Sequence, residues 1–143
     1  MDGVLVRAPG SGDLGLLTDL YNHYVKTSPA TFDLEPASLE SRGQWMIRYA
    51  ETGPHRLLVA IEAGAIVGYA TSGKFREKPG YLTSVETTVY VHPDRQARGI
   101  GARLYAALFA ALASEDVHRA YAAIVIPNPA SVALHARFGF EPV

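Results

Sequence analysis

The chain has 143 residues, of which 48% are hydrophobic and 19% charged, which suits one domain with its own core. Thirteen Lys and Arg against fourteen Asp and Glu leave a formal charge of −1. That balance excludes a broad cationic face for nucleic acid or anionic lipid, so any anion site must be local. The absence of cysteine excludes disulfides, thiolate–metal sites and a Cys nucleophile.

In chain order, "VLVRA" (Val4 to Ala8) reads as a short strand, and Ser11 as the cap of a helix carrying Leu14, Leu17, Tyr21, Tyr24 and Val25 at helical spacing. "TSPATFDLEP" breaks that helix, and a second one runs from about Pro36 to Glu51, before the breaker pair Gly53-Pro54. "RLLVAIEAGAIVGYATSG" reads as an antiparallel hairpin around a Glu62-Ala63-Gly64 turn. The basic loop "KFREKPGY" then leads into the strand "LTSVETTVYV". A third helix follows Gly99, "AYAAIVI" reads as a buried strand stopped by Pro127, and Ala130 to Phe138 as a short helix ended by Gly139. The order β-α-α-β-β-β-α-β-α indicates an α/β domain, residues 1–143, with a mixed sheet and helices on both faces. The N-terminus lacks the apolar core of a signal peptide, and the apolar run Leu104 to Ala113 falls short of the roughly 20 residues needed to span a bilayer. The expected location is cytoplasmic.

Within "VYVHPDRQARGIGARLYAALFAAL", Val89 to Leu112, a strand gives way to a glycine- and arginine-rich turn and then a helix. A helix N-terminus offers unpaired N–H groups, Gly99 and Gly101 permit close approach, and Arg95 and Arg98 add charge, an arrangement suited to a diphosphate. A Walker loop does not fit, because Gly101-Ala102-Arg103 stands where Gly-Lys-Ser/Thr is needed. A dinucleotide fingerprint would want glycine at Leu104 and an N-terminal position.

"QARGIG", Gln96 to Gly101, resembles the Gln/Arg-x-x-Gly-x-Gly/Ala signature of the GCN5-related N-acetyltransferases, and its place after the fourth strand matches that superfamily. "PNPASVALHARFGF" is similar to the family's second cofactor segment, while "NHYV", "ATFD", "VETTVYVHP" and "LHARFGF" resemble its phosphinothricin and methionine sulfoximine acetyltransferase branch. The resemblance implies the mixed, mostly antiparallel sheet of that fold, with acetyl-CoA as co-substrate in a cleft between the fourth and fifth strands. It assigns the cofactor to Val89, Tyr90, Val91, the turn Gln96, Ala97, Arg98, Gly99, Ile100, Gly101 and Ala102, and to Asn128 and Ser131. It also implies a bulge in the fourth strand that frees the Val89 N–H to polarise the thioester carbonyl.

Acetyl transfer from a thioester to an amine requires a neutral amine, stabilisation of charge on the carbonyl oxygen and a proton for the departing thiolate. Alternation puts Val85, Thr87, Val89 and Val91 on one face of their strand and Glu86, Thr88 and Tyr90 on the other, so Glu86 is the candidate base if its face lines a cleft. The resemblance gives His135 an acid/base role in place of the superfamily's more usual Tyr. Lys74, Arg76 and Lys78 lie just before Glu86; Arg76 and Lys78 are the candidate partners of an acidic acceptor group, with Phe32 and Tyr81 as pocket walls. His23, His55, His92 and His118 show no i,i+4 pair, and no metal is expected.

The reading is therefore direct acetyl transfer to a small amino-acid-like amine by a homodimer. A catalytically idle acyl-CoA-binding module on the same fold stands as the alternative, and a nucleotide-dependent oxidoreductase is more distant. Family members continue past the equivalent of "GFEPV" with another strand pair, so a complete chain ending at Val143 would carry an open sheet edge near the acceptor site.

Overall fold

The computed structural model describes residues 3–27, 35–76, 83–95, 99–123 and 129–142. Five strands, β1 (Val4–Arg7), β2 (Arg56–Glu62), β3 (Ala65–Lys74), β4 (Ser84–Val91) and β5 (Arg119–Tyr121), form one sheet in chain order. The pairings β1–β2, β2–β3 and β3–β4 are antiparallel, whereas β4–β5 is parallel and is bridged by a helical crossover. The helices are α1 (Leu14–Thr27), α2 (Leu39–Met46), α3 (Ile100–Leu112) and α4 (Pro129–Arg137). The expected element order is the observed one.

Strand alternation sorts the core into two layers. On one face Ala60, Ala70 and Val85 pack against Ile100, Leu104, Tyr105 and Leu108 of α3, with Leu134 and Phe138 at the α4 margin. On the other, Leu57, Val59 and Tyr69 pack against Leu17 and Leu20 of α1, with Trp45 and Met46 of α2 beside them. The interhelical crossover brings α3 close to β3 at Gly68, where an added Cβ would lie 2.8 Å from the Tyr90 carbonyl oxygen and 3.1 Å from Leu104 Cδ1. Any side chain there would push the helix off the sheet.

Several boundaries differ from expectation for identifiable reasons. Ser11 does not cap α1; it opens a single 3-10 turn, Ser11–Asp13, and the Asp13 carboxylate accepts the Gly10 N–H at 2.7 Å while pairing with Arg7 at 2.8 Å. α2 starts at Leu39 because Ser38 Oγ accepts the Ser41 N–H at 3.1 Å, which places the start after Pro36. The hairpin turn narrows to Ala63 and Gly64, both at positive φ, as a two-residue connection requires. Of the strand expected over "AYAAIVI", β5 includes Ala120 and Tyr121, both half-buried, with exposed Arg119 before them, and 124–128, including Pro127, lie outside the described residues. The bulge expected in β4 is found in β3, where Ala60 pairs with Gly68 and Ile61 with Ile66, leaving Val67 as the extra residue. β4 pairs with β3 in unbroken register from Val85 to Val91.

Two glycine substitutions separate packing from propensity. Gly68→Ala is expected to lower unfolding free energy by about 1–3 kcal/mol through overpacking. Gly43→Ala, inside α2 with its nearest neighbour 3.7 Å away, should instead raise it by about 0.5–1 kcal/mol. Urea unfolding of the two variants checks both signs.

Candidate active site

β4 separates two clefts. Its hydrogen-bonding phase follows from the His92 N–H donating to Val67 O at 2.7 Å. Counting back in the antiparallel register, Tyr90, Thr88 and Glu86 bond toward β3, and Val91, Val89 and Thr87 direct their N–H and C=O groups toward β5. Pairing with β5 ends at Glu86 opposite Tyr121. Among the described residues no strand partner follows on that side, and the Val89 N–H points into this gap without any bulge in β4.

That gap opens into the first cleft, of about 430 Å³, lined by Val89 and Val91 of β4, the start of α3 from Gly99 to Ala102, and Ala130, Ser131, Leu134 and His135 of α4. Gly99 sits at the N-cap of α3 with φ of 79° and no side-chain cap, so the first N–H groups of the helix keep their positive end open toward the cleft. Ile100 presents backbone there, its side chain being only 2% exposed in the core. Gly101 lets α4 approach as well: an added Cβ would lie 3.1 Å from Leu134 Cδ2. Arg95 lines this cleft with its Nε committed to Glu62 Oε1 at 2.6 Å. An apolar trough that ends on open helix N–H groups fits a ligand with an acyl arm and a diphosphate. Gln96, Ala97, Arg98 and Asn128 lie outside the described residues.

His135 is buried in the wall of this cleft. Its position comes from the end of α4, where the Gly139 N–H donates to Ala136 O at 3.0 Å and the Phe140 N–H to His135 O at 3.0 Å, a Schellman closure with Gly139 at φ of 87°. The closure lays the Phe140 ring edge-on to the imidazole, 5.0 Å between centroids. Nδ1 lies 2.7 Å from the Ser131 carbonyl oxygen, which can only accept, so Nδ1 carries a proton. Nε2 lies 2.7 Å from Tyr105 Oη, which in turn is 3.1 Å from Thr87 Oγ1. Thr87 Oγ1 reaches the Tyr121 carbonyl at 3.5 Å. A strut of hydroxyls thus ties α4 through α3 to β4 and β5. Tyr105 and Thr87 were not candidates in the sequence, where each reads as a core position of its helix or strand.

Glu86 lies on the opposite face, in a second cleft of about 680 Å³ lined also by Arg42, Tyr49, His55, Tyr69, Lys74 and Tyr90. Thr88 and Tyr90 line both clefts. The alternation expected of β4 therefore holds, and the Glu86 face does line a cavity. Arg76, by contrast, is turned onto Phe75, with its guanidinium carbon 4.0 Å from the ring centroid, and lines neither cleft. Lys78, Tyr81 and Phe32 lie outside the described residues. Lys74 is the cation of that basic loop which reaches the Glu86 cleft, and with burial it lowers the pKa of His55.

The cation that sequence reasoning missed is Arg42. Only 6% exposed, it sits with its guanidinium carbon 4.0 Å from the Tyr21 ring centroid and 3.6 Å from that of Trp45. Nη2 donates to Tyr69 Oη at 3.4 Å, and the buried Nε has no partner. Burial accordingly lowers its pKa, opposed by the surrounding phenols, while burial raises that of Tyr69. Two cation–π contacts recover about 0.5–2 kcal/mol each, against a desolvation cost of several kcal/mol for a buried ion. The one signal in the sequence is the Arg42/Trp45 i,i+3 spacing.

The acetyltransferase (GNAT) family model matches residues 17–140. The chain belongs to the acetyltransferase (GNAT) family. A phosphinothricin N-acetyltransferase of Streptomyces coelicolor is 58% identical to this family member over 142 residues, 98% of this chain and 83% of the relative. An L-methionine sulfoximine/L-methionine sulfone acetyltransferase of Pseudomonas aeruginosa is 35% identical over 136 residues, 95% of this chain and 79% of its own. Among solved structures, a putative acetyltransferase of Salmonella typhimurium with its cofactor acetyl-CoA superposes with a TM-score of 0.90 at 30% identity, covering 98% of this chain and 80% of that one. Among the described residues of this acetyltransferase no helix is long and apolar enough to cross a membrane.

Burial pushes the Tyr105 phenol up to about 12. Unfolded phenols ionise near pH 10, so the unfolded state releases its proton first and alkaline pH favours unfolding. The stability from burying the neutral phenol is complete below about pH 10 and is lost toward pH 12 at up to about 1.4 kcal/mol per pH unit. Tyr105→Phe should cost about 1–3 kcal/mol at pH 7, because His135 Nε2 loses its partner, yet lose less stability than wild type between pH 10 and 11.5. Urea midpoints at both pH values test the pair of effects.

Proposed function

We propose that the protein transfers the acetyl group of acetyl-CoA to the amine of a small amino acid, phosphinothricin or methionine sulfoximine being the favoured acceptors. The observation that carries this reading is the placement of β4 between two clefts that share Thr88 and Tyr90, with a carboxylate on one side and the open end of α3 on the other. The identity with phosphinothricin and methionine sulfoximine acetyltransferases supports the acceptor class.

The start of α3 would hold the diphosphate on its N–H groups, and Val89, Val91 and Leu134 would line the acyl arm, with Ser131 at the α4 wall. Acetyl-CoA supplies there an activated acyl carbon and a thiol leaving group. The Val89 N–H, aimed into the gap beyond β5, is the donor for the carbonyl oxygen. Glu86 takes a proton from the acceptor ammonium, directly or through a water, so that the amine lone pair is free. The N–C bond then forms as the C–S bond breaks, the acylated nitrogen sheds its second proton to solvent, and the departing sulfur takes up one proton.

His135 is the proposed source of that proton, relayed from Nε2 through the Tyr105 hydroxyl to Thr87 Oγ1, which lines the acyl cleft. As the imidazolium it donates from Nδ1 to Ser131 O and from Nε2 to Tyr105, which passes its own hydroxyl proton toward Thr87. As the neutral ring it accepts at Nε2 from a Tyr105 hydroxyl that has turned round. Neither state strands a buried polar atom. Exposed Leu39 and Ile47, on and just after α2, supply apolar surface for the homodimer that belongs to this reading, and the cytoplasm is its proposed location.

Thiol release from acetyl-CoA with a panel of amino acids tests the reading. Turnover selective for phosphinothricin or methionine sulfoximine, falling at least 100-fold in kcat/KM for Glu86→Gln with acetyl-CoA affinity retained, is the expected outcome. Acetyl-CoA binding without turnover of any amine would mark a binding module instead. His135→Asn is expected to lower kcat more than it raises either KM.

A further inference from the structure

We propose that Arg42 is the specificity-determining anchor for the α-carboxylate of the acceptor amino acid in the Glu86 cleft. The proposal rests on the acetyltransfer reading above and deepens it.

Arg42 and Glu86 line the same cavity, one on α2 and the other on β4. A zwitterion presents an ammonium and a carboxylate on adjacent carbons. A cleft with one carboxylate base and one buried guanidinium offers the matching pair of charges. Arg42 is the more deeply withdrawn of the cleft's arginines, since Arg48 is exposed. It is also under-committed. Among the described residues one of its five N–H bonds, from Nη2 to Tyr69 Oη, is engaged, at a long 3.4 Å, and no carboxylate pairs with it.

The guanidinium is nonetheless held in place. Tyr21 and Trp45 rings lie against it, and Tyr69, whose own position is fixed by ring contacts with Trp45 and Tyr90 at 5.6 and 5.2 Å, accepts its one bond. A buried, preorganised guanidinium loses little freedom when it takes an oxyanion, and its fork of donors matches a carboxylate better than a lysine does. A structural arginine of the same burial would be expected to close on a carboxylate or on backbone carbonyls of its own chain, and Arg42 does neither.

The test compares methionine sulfoximine with its α-carboxamide and its decarboxylated amine as acceptors, in wild type, Arg42→Gln and Arg42→Lys. Wild type is expected to favour the acid over the amide by at least 100-fold in kcat/KM. Arg42→Gln should raise the KM of the acid by about two orders of magnitude while leaving the amide unchanged, so that the preference falls to within threefold; Arg42→Lys should restore part of it. Acetyl-CoA affinity should not move. A loss shared equally by acid and amide, or a preference that survives in Arg42→Gln, overturns the assignment. Should the Arg42 variants not fold, Tyr69→Phe removes the single hydrogen bond and should raise the KM of the acid severalfold without affecting the amide; equal effects on both overturn the assignment. Wild type that acetylates acid and amide equally well overturns Arg42 alone, whereas wild type that acetylates none of the three overturns the parent reading as well.

Discussion

The unbroken register of β4 is the constraint on which the site depends. A strand with period two must send neighbouring side chains to opposite faces, and here each face meets a different helical layer. Val85, Val89 and Val91 face α3, while Glu86 and Tyr90 face α1 and α2. Among the described residues β5 pairs with β4 only as far as Glu86, and the β4 backbone beyond is still strand without a described neighbour on that side. The same few residues thus present a carboxylate to one cleft, apolar side chains to another and N–H groups to the space between. No loop could hold three such directions with comparable rigidity.

The second cleft wall depends on a different device. α4 has few core contacts of its own, and what locks it is the Schellman turn at Gly139 together with the hydroxyl strut from His135 through Tyr105 and Thr87. Burial keeps the Tyr105 phenol protonated across the physiological range, so the strut always has a proton to place. The Tyr105 hydroxyl can point either way along the strut, so the strut keeps its length in both directions.

The electrostatics of this near-neutral chain are local. Arg7 with Asp13 ties β1 to the start of α1, Arg56 with Glu115 ties β2 to the end of α3, and Arg95 with Glu62 ties the α3 turn back to the hairpin. These cations are matched by carboxylates, and Arg42 is not. Among the described residues its cost is offset by two π faces and one phenol. A membrane or nucleic-acid partner would need the opposite distribution, with cations exposed and gathered on one surface.

The sequence by itself determined the order of elements and the two-faced pattern of β4, because these follow from local periodicity, and a period-two strand assigns each residue to a side before any partner is known, whereas only the fold placed a cleft against the Glu86 side. It also located the α3 turn and the His135 segment, since Gly99 and Gly139 mark backbone that other residues reach with difficulty. Boundaries moved where a side chain outside the pattern took over a cap, as Asp13 and Ser38 did. The bulge lay not in β4 but in β3, where Ala60 pairs with Gly68 and Ile61 with Ile66, a register set between two strands and not by the pattern of either alone. Only the tertiary structure decided that Tyr105 and Thr87 hold His135, that Arg76 turns away onto Phe75 while Lys74 faces the cleft, and that a polar-looking helix buries Arg42 between Tyr21 and Trp45. Each of these is a contact between elements whose meeting is set by packing on the sheet, and no spacing along one element encodes it.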